Sequence, residues 1–82
     1  MLYPMIVYIL YSQTIGQYYT GQTQDLDLRI KQHNTGKGAH TSKGIPWSVV
    51  WFEECETRSL AMRLEKKIKK RGAKRFLEDL EE

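Results

Sequence analysis

The stretch Ile6–Tyr11, with the sequence Ile-Val-Tyr-Ile-Leu-Tyr, decides the fold of this chain. All of its residues are aliphatic or aromatic, which is typical of a β-strand buried on both faces and therefore of a central strand. Residues 12–17 are rich in turn formers, and Tyr18–Gly21 has the composition of a second, shorter strand. The short connection between the two strands predicts an antiparallel hairpin.

The hydrophobic period changes from that of a strand to that of a helix over residues 22–34. One face of this helix carries Leu26, Ile30 and His33. Either Thr23 or Asp25 can cap its start. Residues 34–46 follow as a loop with three glycines and two lysines, and loops of about 12 residues without secondary structure are often functional.

The remaining chain predicts one strand and two helices. Trp47–Glu54 has the composition of a third strand, in which Trp47 and Trp51 are four residues apart. This spacing places both indoles on one face, where core packing is favoured over base stacking.

A long helix is predicted over Arg58–Arg71, with Thr57 as its N-cap and Gly72 as the residue that ends it. Its apolar face consists of Leu60, Ala61, Leu64 and Ile68. The buried side of a last short helix consists of Phe76, Leu77 and Leu80.

The element order is therefore β-β-α-β-α-α, and a three-stranded sheet needs helices to cover its apolar faces. We expect an α+β fold, a three-stranded antiparallel sheet flanked by helices. The 82 residues are enough for one domain, 1–82.

Composition excludes several classes of protein. A membrane-spanning helix needs about 20 apolar residues, and the longest apolar stretch, Met1–Tyr11, is much shorter. We therefore expect no membrane partner. Cys55 is the only cysteine, which excludes an intrachain disulfide and a thiolate-rich metal site. A small domain without disulfides is expected to be intracellular, in the cytoplasm.

Positive charge is concentrated near the end of the chain. The net charge is +3, but residues 58–75 contain nine basic residues and one acid, Glu65. Such a cluster favours a nucleic acid or another polyanion as partner. The alternative is a solvated helix face in which lysines near the C-terminus are favourable and Glu65 pairs with Lys69.

The ordered set of Tyr8, Tyr19-Thr20-Gly21, Arg29, His33-Asn34 and a later Glu65 resembles the GIY-YIG nuclease superfamily, in particular its small single-domain branch. The likeness extends over nearly the whole chain and implies the same fold. It also implies an enzyme, an endonuclease that cuts DNA phosphodiester bonds with one divalent ion, Mg²⁺ or Mn²⁺. Gln22 is a departure, because many relatives carry a lysine there.

The resemblance assigns catalytic roles to Tyr8, Tyr19, Arg29 and His33, and metal binding to Glu65. We expect Tyr8 to be the general base on water, with His33 accepting or relaying its proton. A metal ion and Arg29 nearby should lower the pKa of Tyr8. Arg29 would bind phosphate oxygens. One carboxylate can hold Mg²⁺ once the substrate is bound, so metal binding without DNA should be weak.

We expect nucleic-acid contacts from the loop and the long helix, namely Asn34, Lys37, Lys43, Lys66, Lys67, Lys69, Lys70 and Arg71. Each site residue also has a structural alternative, such as a core position for Tyr8 or an ion pair with Asp25 for Arg29. The predicted function is DNA cleavage in repair, recombination or related processing. Two alternatives stay open: a DNA-binding module with weak or no activity, and a nuclease subunit that needs a protein partner.

Overall fold

The structure is a computed structural model, and it describes residues 4–36 and 40–81. Three strands and three helices follow one another in the predicted order, and one 3₁₀ turn lies in the loop before the third strand. The strands are β1 (Met5–Ser12), β2 (Gln17–Thr23) and β3 (Trp47–Cys55). The helices are α1 (Leu26–Asn34), α2 (Arg58–Arg71) and α3 (Ala73–Leu80), and the 3₁₀ turn is Ser42–Gly44. The α+β prediction is confirmed.

β1 is the central strand of the sheet, as its composition predicted. The strand order is β2-β1-β3, and β1 pairs with both neighbours in the antiparallel direction. Four consecutive residues of β1, from Val7 to Leu10, are at most 1% exposed. Because neighbouring side chains of a strand point to opposite faces, β1 contributes to two separate cores.

The two cores are covered by different helices. On one face, Val7 and Ile9 pack with Ala61 and Ile68 of α2 and with Phe76 of α3. On the other face, Tyr8 and Leu10 form a cluster with Trp47, and α1 covers this cluster with Leu26 and Ile30. The α1 face predicted from the sequence is thus the buried one.

The two tryptophans do not share a face, which corrects the prediction from their spacing. Trp47 is opposite Ser12 and lies in the cluster under α1, whereas Trp51 is opposite Ile9 and packs edge-on against Phe76, with ring centroids 5.0 Å apart. The register of β1 and β3 shifts between Ile9 and Leu10, and the extra residue of such a bulge reverses the alternation. Core packing, rather than base stacking, is confirmed for both indoles.

The ends of α1 and α2 follow their capping residues. The Asp25 carboxylate accepts a hydrogen bond from the Leu28 backbone N–H at 3.0 Å, so Asp25 caps α1. The Thr57 hydroxyl accepts from the Leu60 N–H at 3.1 Å and caps α2 as predicted. Gly72, with a φ of 92°, ends α2 in the left-handed region that favours glycine.

Two residues assigned to buried helix faces are exposed instead. Leu60 is 47% exposed and Leu80 is 53% exposed. Only a narrow stripe of α2 reaches the core, and Leu60 lies about 100° around the helix from the buried Ala61. Leu80 is the last residue of α3, whose contact with the core comes from Phe76 and Leu77.

Candidate active site

The Tyr8 hydroxyl lies at one end of a buried chain of polar groups. Its oxygen is 3.1 Å from Nε2 of His33, and Nδ1 of the same imidazole is 3.0 Å from Oγ1 of Thr41. Tyr8, His33 and Thr41 are 1%, 7% and 3% exposed, respectively. A buried hydroxyl without a partner would be costly, so β1, α1 and the loop must meet at this point.

Tyr19 packs beside this chain. Its ring meets the His33 imidazole at an edge-to-face angle, with centroids 4.9 Å apart, and lies 6.3 Å from the Tyr8 ring. The indole of Trp47 is 6.4 Å away on another side. The fold therefore brings together Tyr8, Tyr19 and His33, three predicted site residues that are far apart in the sequence.

Gly21 makes room for Tyr8. It is directly opposite Tyr8 in the β1–β2 register. A Cβ at this position would lie 2.7 Å from the Tyr8 hydroxyl oxygen and 2.9 Å from its Cζ. Because Gly21 has no side chain, the phenol of Tyr8 can pack directly against β2 at this position.

The pKa of Tyr8 is raised to about 12, primarily because the phenol is buried, and further because of Tyr19. The positive charge of Arg29 lowers this pKa, as expected, but by less than burial raises it, and Glu65 raises it slightly. The expected fall in the pKa depended on a bound metal ion as well as on Arg29, so it stays a prediction. Tyr8 is a neutral phenol at neutral pH.

The pKa of His33 is lowered from its ordinary value, first because the ring is buried and then because of the Arg29 charge. The imidazole is therefore neutral at neutral pH. In the tautomer that donates from Nδ1 to Thr41, Nε2 is left as an acceptor facing the Tyr8 hydroxyl. This arrangement suits a proton transfer from the phenol to the imidazole.

Arg29 lies on the exposed side of α1, one turn before His33. One of its terminal nitrogens donates to the side-chain oxygen of Gln32 at 3.3 Å. Arg29 is exposed, and its positive charge lowers the pKa of both Tyr8 and His33, so it lies between the buried cluster and solvent. That is a suitable place for binding a phosphate group.

Glu65 lies on α2 and contacts β2 through Gln22. Its Oε1 accepts a hydrogen bond from the side-chain amide of Gln22 at 3.0 Å. Its Oε2 is 2.7 Å from Nζ of Lys69, and the Glu65 side chain is only 18% exposed. The pairing with Lys69 that the sequence offered as an alternative is therefore present.

These residues fit a weakly held hard cation. Carboxylate and amide oxygens are the ligands that Mg²⁺ prefers. Glu65 supplies a carboxylate, and the side-chain oxygen of Gln22 beside it is buried without a hydrogen-bond partner. No cluster of three or more acidic, histidine or cysteine side chains able to hold a metal occurs in ranges 4–36 and 40–81. Substrate and water would have to supply the other ligands.

The predicted nucleic-acid contacts in the loop are placed differently from one another. Asn34 uses its whole amide on the Trp47 backbone: Oδ1 accepts from the N–H at 2.6 Å, and Nδ2 donates to the C=O at 3.1 Å. This double contact anchors the loop to α1, so a phosphate contact from Asn34 finds no support. Lys43 is exposed in the 3₁₀ turn, and Lys37 lies outside the described residues.

The basic residues of α2 are divided between two sides of the helix. A step of about 100° per residue places Lys69 about 40° from Glu65 around the helix and Lys66 about 100° from it. The other predicted contacts, Lys67, Lys70 and Arg71, line a surface cavity of about 400 Å³ together with Phe76 and Asp79 of α3. There the Arg71 guanidinium pairs with both carboxylate oxygens of Asp79 at 2.8 and 3.0 Å.

Sequence reasoning missed three residues of this site. Thr41 fixes the imidazole of His33, and its carbonyl oxygen accepts from the Trp47 indole N–H at 2.7 Å. In the sequence, Gln22 stands out only because many relatives have a lysine there, and Gly21 only as part of the Tyr-Thr-Gly motif. Nothing in the sequence indicates that a loop threonine such as Thr41 holds the imidazole. In contrast, the replacement of a lysine by Gln22 could have indicated a contact with Glu65.

Phenol, imidazole, guanidinium and carboxylate groups thus gather around β2 of a small α+β domain, a set suited to acid–base chemistry on a phosphate ester. Comparison with known proteins agrees with this class. The family model of the GIY-YIG catalytic domain matches residues 4–78, and the chain belongs to that family. The resemblance recognised in the sequence is therefore confirmed.

Relatives of similar size are named only as UPF0213 proteins. One from Haloquadratum walsbyi is 44% identical over 52 residues, which is 62% of this chain and 58% of that protein. One from Halobacterium salinarum is 42% identical over 55 residues, 66% of this chain and 71% of that protein. The match thus spans less than two thirds of the Haloquadratum protein.

A solved structure shares the fold. The solution NMR structure of a UPF0213 protein from Bacillus halodurans has a TM-score of 0.58 and 34% sequence identity, and the match covers 95% of this chain and 83% of that one. Separately, none of the helices within the described part of the chain combines the length and apolar character needed to cross a bilayer.

Replacing Gly21 with alanine should destabilise the protein by about 1–3 kcal/mol, because the new methyl group overlaps the Tyr8 phenol. The free energy of unfolding, measured by urea denaturation, checks this. In a Tyr8→Phe background the same substitution should be milder, since the closest atom, the hydroxyl oxygen at 2.7 Å, is gone. Equal losses in both backgrounds would show that the overlap with the hydroxyl is not the cause.

Proposed function

We propose that this protein is a divalent-metal-dependent endonuclease that hydrolyses DNA phosphodiester bonds. The observation that carries the proposal is the buried Tyr8 hydroxyl held 3.1 Å from His33 Nε2, with the charges of Arg29 and Glu65 acting on it. A plain core tyrosine needs one hydrogen-bond partner, such as the imidazole, but not a guanidinium and a carboxylate in addition. Membership of a family described as a catalytic domain supports the same function.

Tyr8 and His33 act as a pair in the proposed mechanism. Because the pKa of Tyr8 is about 12, almost none of it is a phenolate at neutral pH. Tyr8 therefore takes a proton from the attacking water only as its own proton passes to Nε2 of His33. The water oxygen bonds to phosphorus, the bond to the leaving oxygen breaks, that oxygen takes a proton from solvent water, and the imidazole ends the step protonated.

The other residues bind and orient the phosphate. Arg29 forms charge-assisted hydrogen bonds to phosphate oxygens, which gain negative charge in the transition state. Thr41 keeps the imidazole in its orientation, and Tyr19 packs on the imidazole ring. Glu65 would hold the divalent ion, with Gln22 beside it, and the bound ion supplies stabilisation of negative charge.

Residues 4–36 and 40–81 contain no recognisable motif for reading base edges, so we propose recognition of DNA structure rather than sequence. This fits a task in repair, recombination or related DNA processing, in the cytoplasm, where a protein partner would supply targeting. Substrate, partner and location stay predictions.

Tyr8→Phe should abolish cutting, because it removes the hydroxyl that transfers the proton, and should leave salt-dependent DNA binding intact. Glu65→Ala should do the same by removing the metal ligand. Cleavage of duplex, flap, branched and single-stranded DNA with Mg²⁺ or Mn²⁺ tests both. Leu28→Ala, at an exposed position of α1, is the matched control and should cut like the parent.

Two other results would contradict all or part of this proposal. If the parent binds DNA and never cuts, the DNA-binding module or the partner-dependent subunit replaces this proposal. If Tyr8→Phe cuts normally, the proton-transfer role of Tyr8 is wrong even though the protein is a nuclease.

The pH dependence of cutting should show a plateau. His33 must be neutral to accept a proton, and its pKa is lowered, so the rate should rise only up to a pKa below 6.5 and stay flat above it. Tyr8 keeps its proton until about pH 12. A logarithm of kcat that keeps rising with unit slope beyond pH 9 would instead require a preformed Tyr8 phenolate.

The distribution of basic residues around α2 predicts which of its lysines bind DNA. Lys66→Glu should weaken DNA binding by about tenfold and lower the salt slope, because Lys66 lies about 100° from Glu65 around the helix, closer than Lys67 at about 160°. Lys67→Glu, which makes the same charge change on the side of α3, should weaken it by less than about twofold. Binding titrations at several salt concentrations compare the two. Equal losses would mean that the net charge of the helix, and not its Glu65 side, determines binding.

A further inference from the structure

The two partners of the Glu65 carboxylate differ in their surroundings. Gln22 is half-buried on β2 and donates to Oε1 at 3.0 Å. Lys69 lies one turn further along α2 and reaches Oε2 at 2.7 Å with a side chain that is 58% exposed. One partner is therefore fixed by the sheet, and the other can leave into solvent.

The orientation of the Gln22 amide is set by Glu65. Its nitrogen faces the carboxylate, while its oxygen is buried without a hydrogen-bond partner. Turning the amide over would place that oxygen against a carboxylate oxygen, which is repulsive unless a cation lies between them. The contact with Glu65 thus outweighs the unpaired oxygen, and Gln22 acts as a positioning residue for the carboxylate.

Lys69 supplies a positive charge where the carboxylate would otherwise hold a cation. An exposed pair of this kind, four residues apart on a helix, shifts an equilibrium by only about twofold to fivefold. It can therefore be exchanged under mild competition. An ammonium is also strongly hydrated and flexible, so it transfers readily to another anion.

We propose that the Lys69 ammonium occupies the cation position of Glu65 in the resting protein and gives it up to the divalent ion when nucleic acid arrives. The proposal rests on the proposed function. As a DNA phosphate approaches, Lys69 moves from the carboxylate to the phosphate, and the metal takes its place on Glu65. Gln22 keeps the carboxylate aimed during this exchange. Metal binding is thereby coupled to substrate binding.

Mn²⁺ titration followed by electron paramagnetic resonance, without DNA, tests the exchange. Lys69→Met removes the ammonium, keeps most of the side-chain stem, and should bind Mn²⁺ about twofold to fivefold more tightly than the parent. Lys66→Met loses the same charge next to Glu65 and should change the affinity by less than about twofold. Lys69→Arg should restore the weak binding of the parent, and Glu65→Gln should abolish the tight binding.

The advantage of Lys69→Met should disappear when DNA is present. A Tyr8→Phe background prevents cutting during this measurement, and a short duplex serves as the nucleic acid. With DNA bound, parent and Lys69→Met should bind Mn²⁺ equally, because Lys69 has already left the carboxylate. Persistence of the difference in the presence of DNA would overturn the exchange.

The remaining outcomes separate this proposal from the proposed function. If the parent cuts DNA but Lys69→Met and Lys66→Met bind Mn²⁺ alike, Lys69 acts only through general charge, and the exchange is wrong while the nuclease stands. If no variant binds Mn²⁺ and the parent does not cut, both are wrong.

Discussion

The hydrogen bond between Tyr8 and His33 is the constraint on which the site depends. β1 is buried on both faces and Tyr8 is only 1% exposed, so its hydroxyl needs a hydrogen-bond partner inside the protein. His33 of α1 provides that partner, which requires α1 to lie across the sheet with the imidazole close to the phenol. Thr41 then has to hold the other imidazole nitrogen, which brings the loop onto the same core. Trp47 secures this loop.

The same burial creates a conflict between stability and catalysis. Removing the phenol from water raises the pKa of Tyr8 to about 12, which makes it a poor base on its own. The neutral imidazole that satisfies its hydroxyl is also the group that can accept its proton. Structural and chemical demands are thus met by one contact. Arg29 lowers the pKa of Tyr8 by less than burial raises it, and Glu65 raises it further.

Local patterns in the sequence were sufficient for most of the fold. The central position of β1, the buried face of α1 and the caps of α2 follow from composition, period and capping chemistry, all of which are short-range properties. The bulge that separates Trp47 from Trp51 is not encoded in strand alternation. Leu60 was misplaced because the sheet accepts a narrower stripe of α2 than the apolar residues suggest. Of the site, the motif residues were predictable, whereas the roles of Thr41 and Asn34 depend on tertiary contacts.

The basic residues of α2 are clustered in the sequence but not on the surface of the protein. Nine basic residues within residues 58–75 suggest one continuous binding strip, but the helical period divides them. Arg71 is paired with Asp79 on the side of α3, whereas Lys69 faces Glu65. In the proposed function, Lys69 lies beside the carboxylate that would hold the metal ion, and Arg71 does not. A positive charge at that place would both attract the substrate and compete with the metal, so its effect on activity would depend on whether DNA is bound.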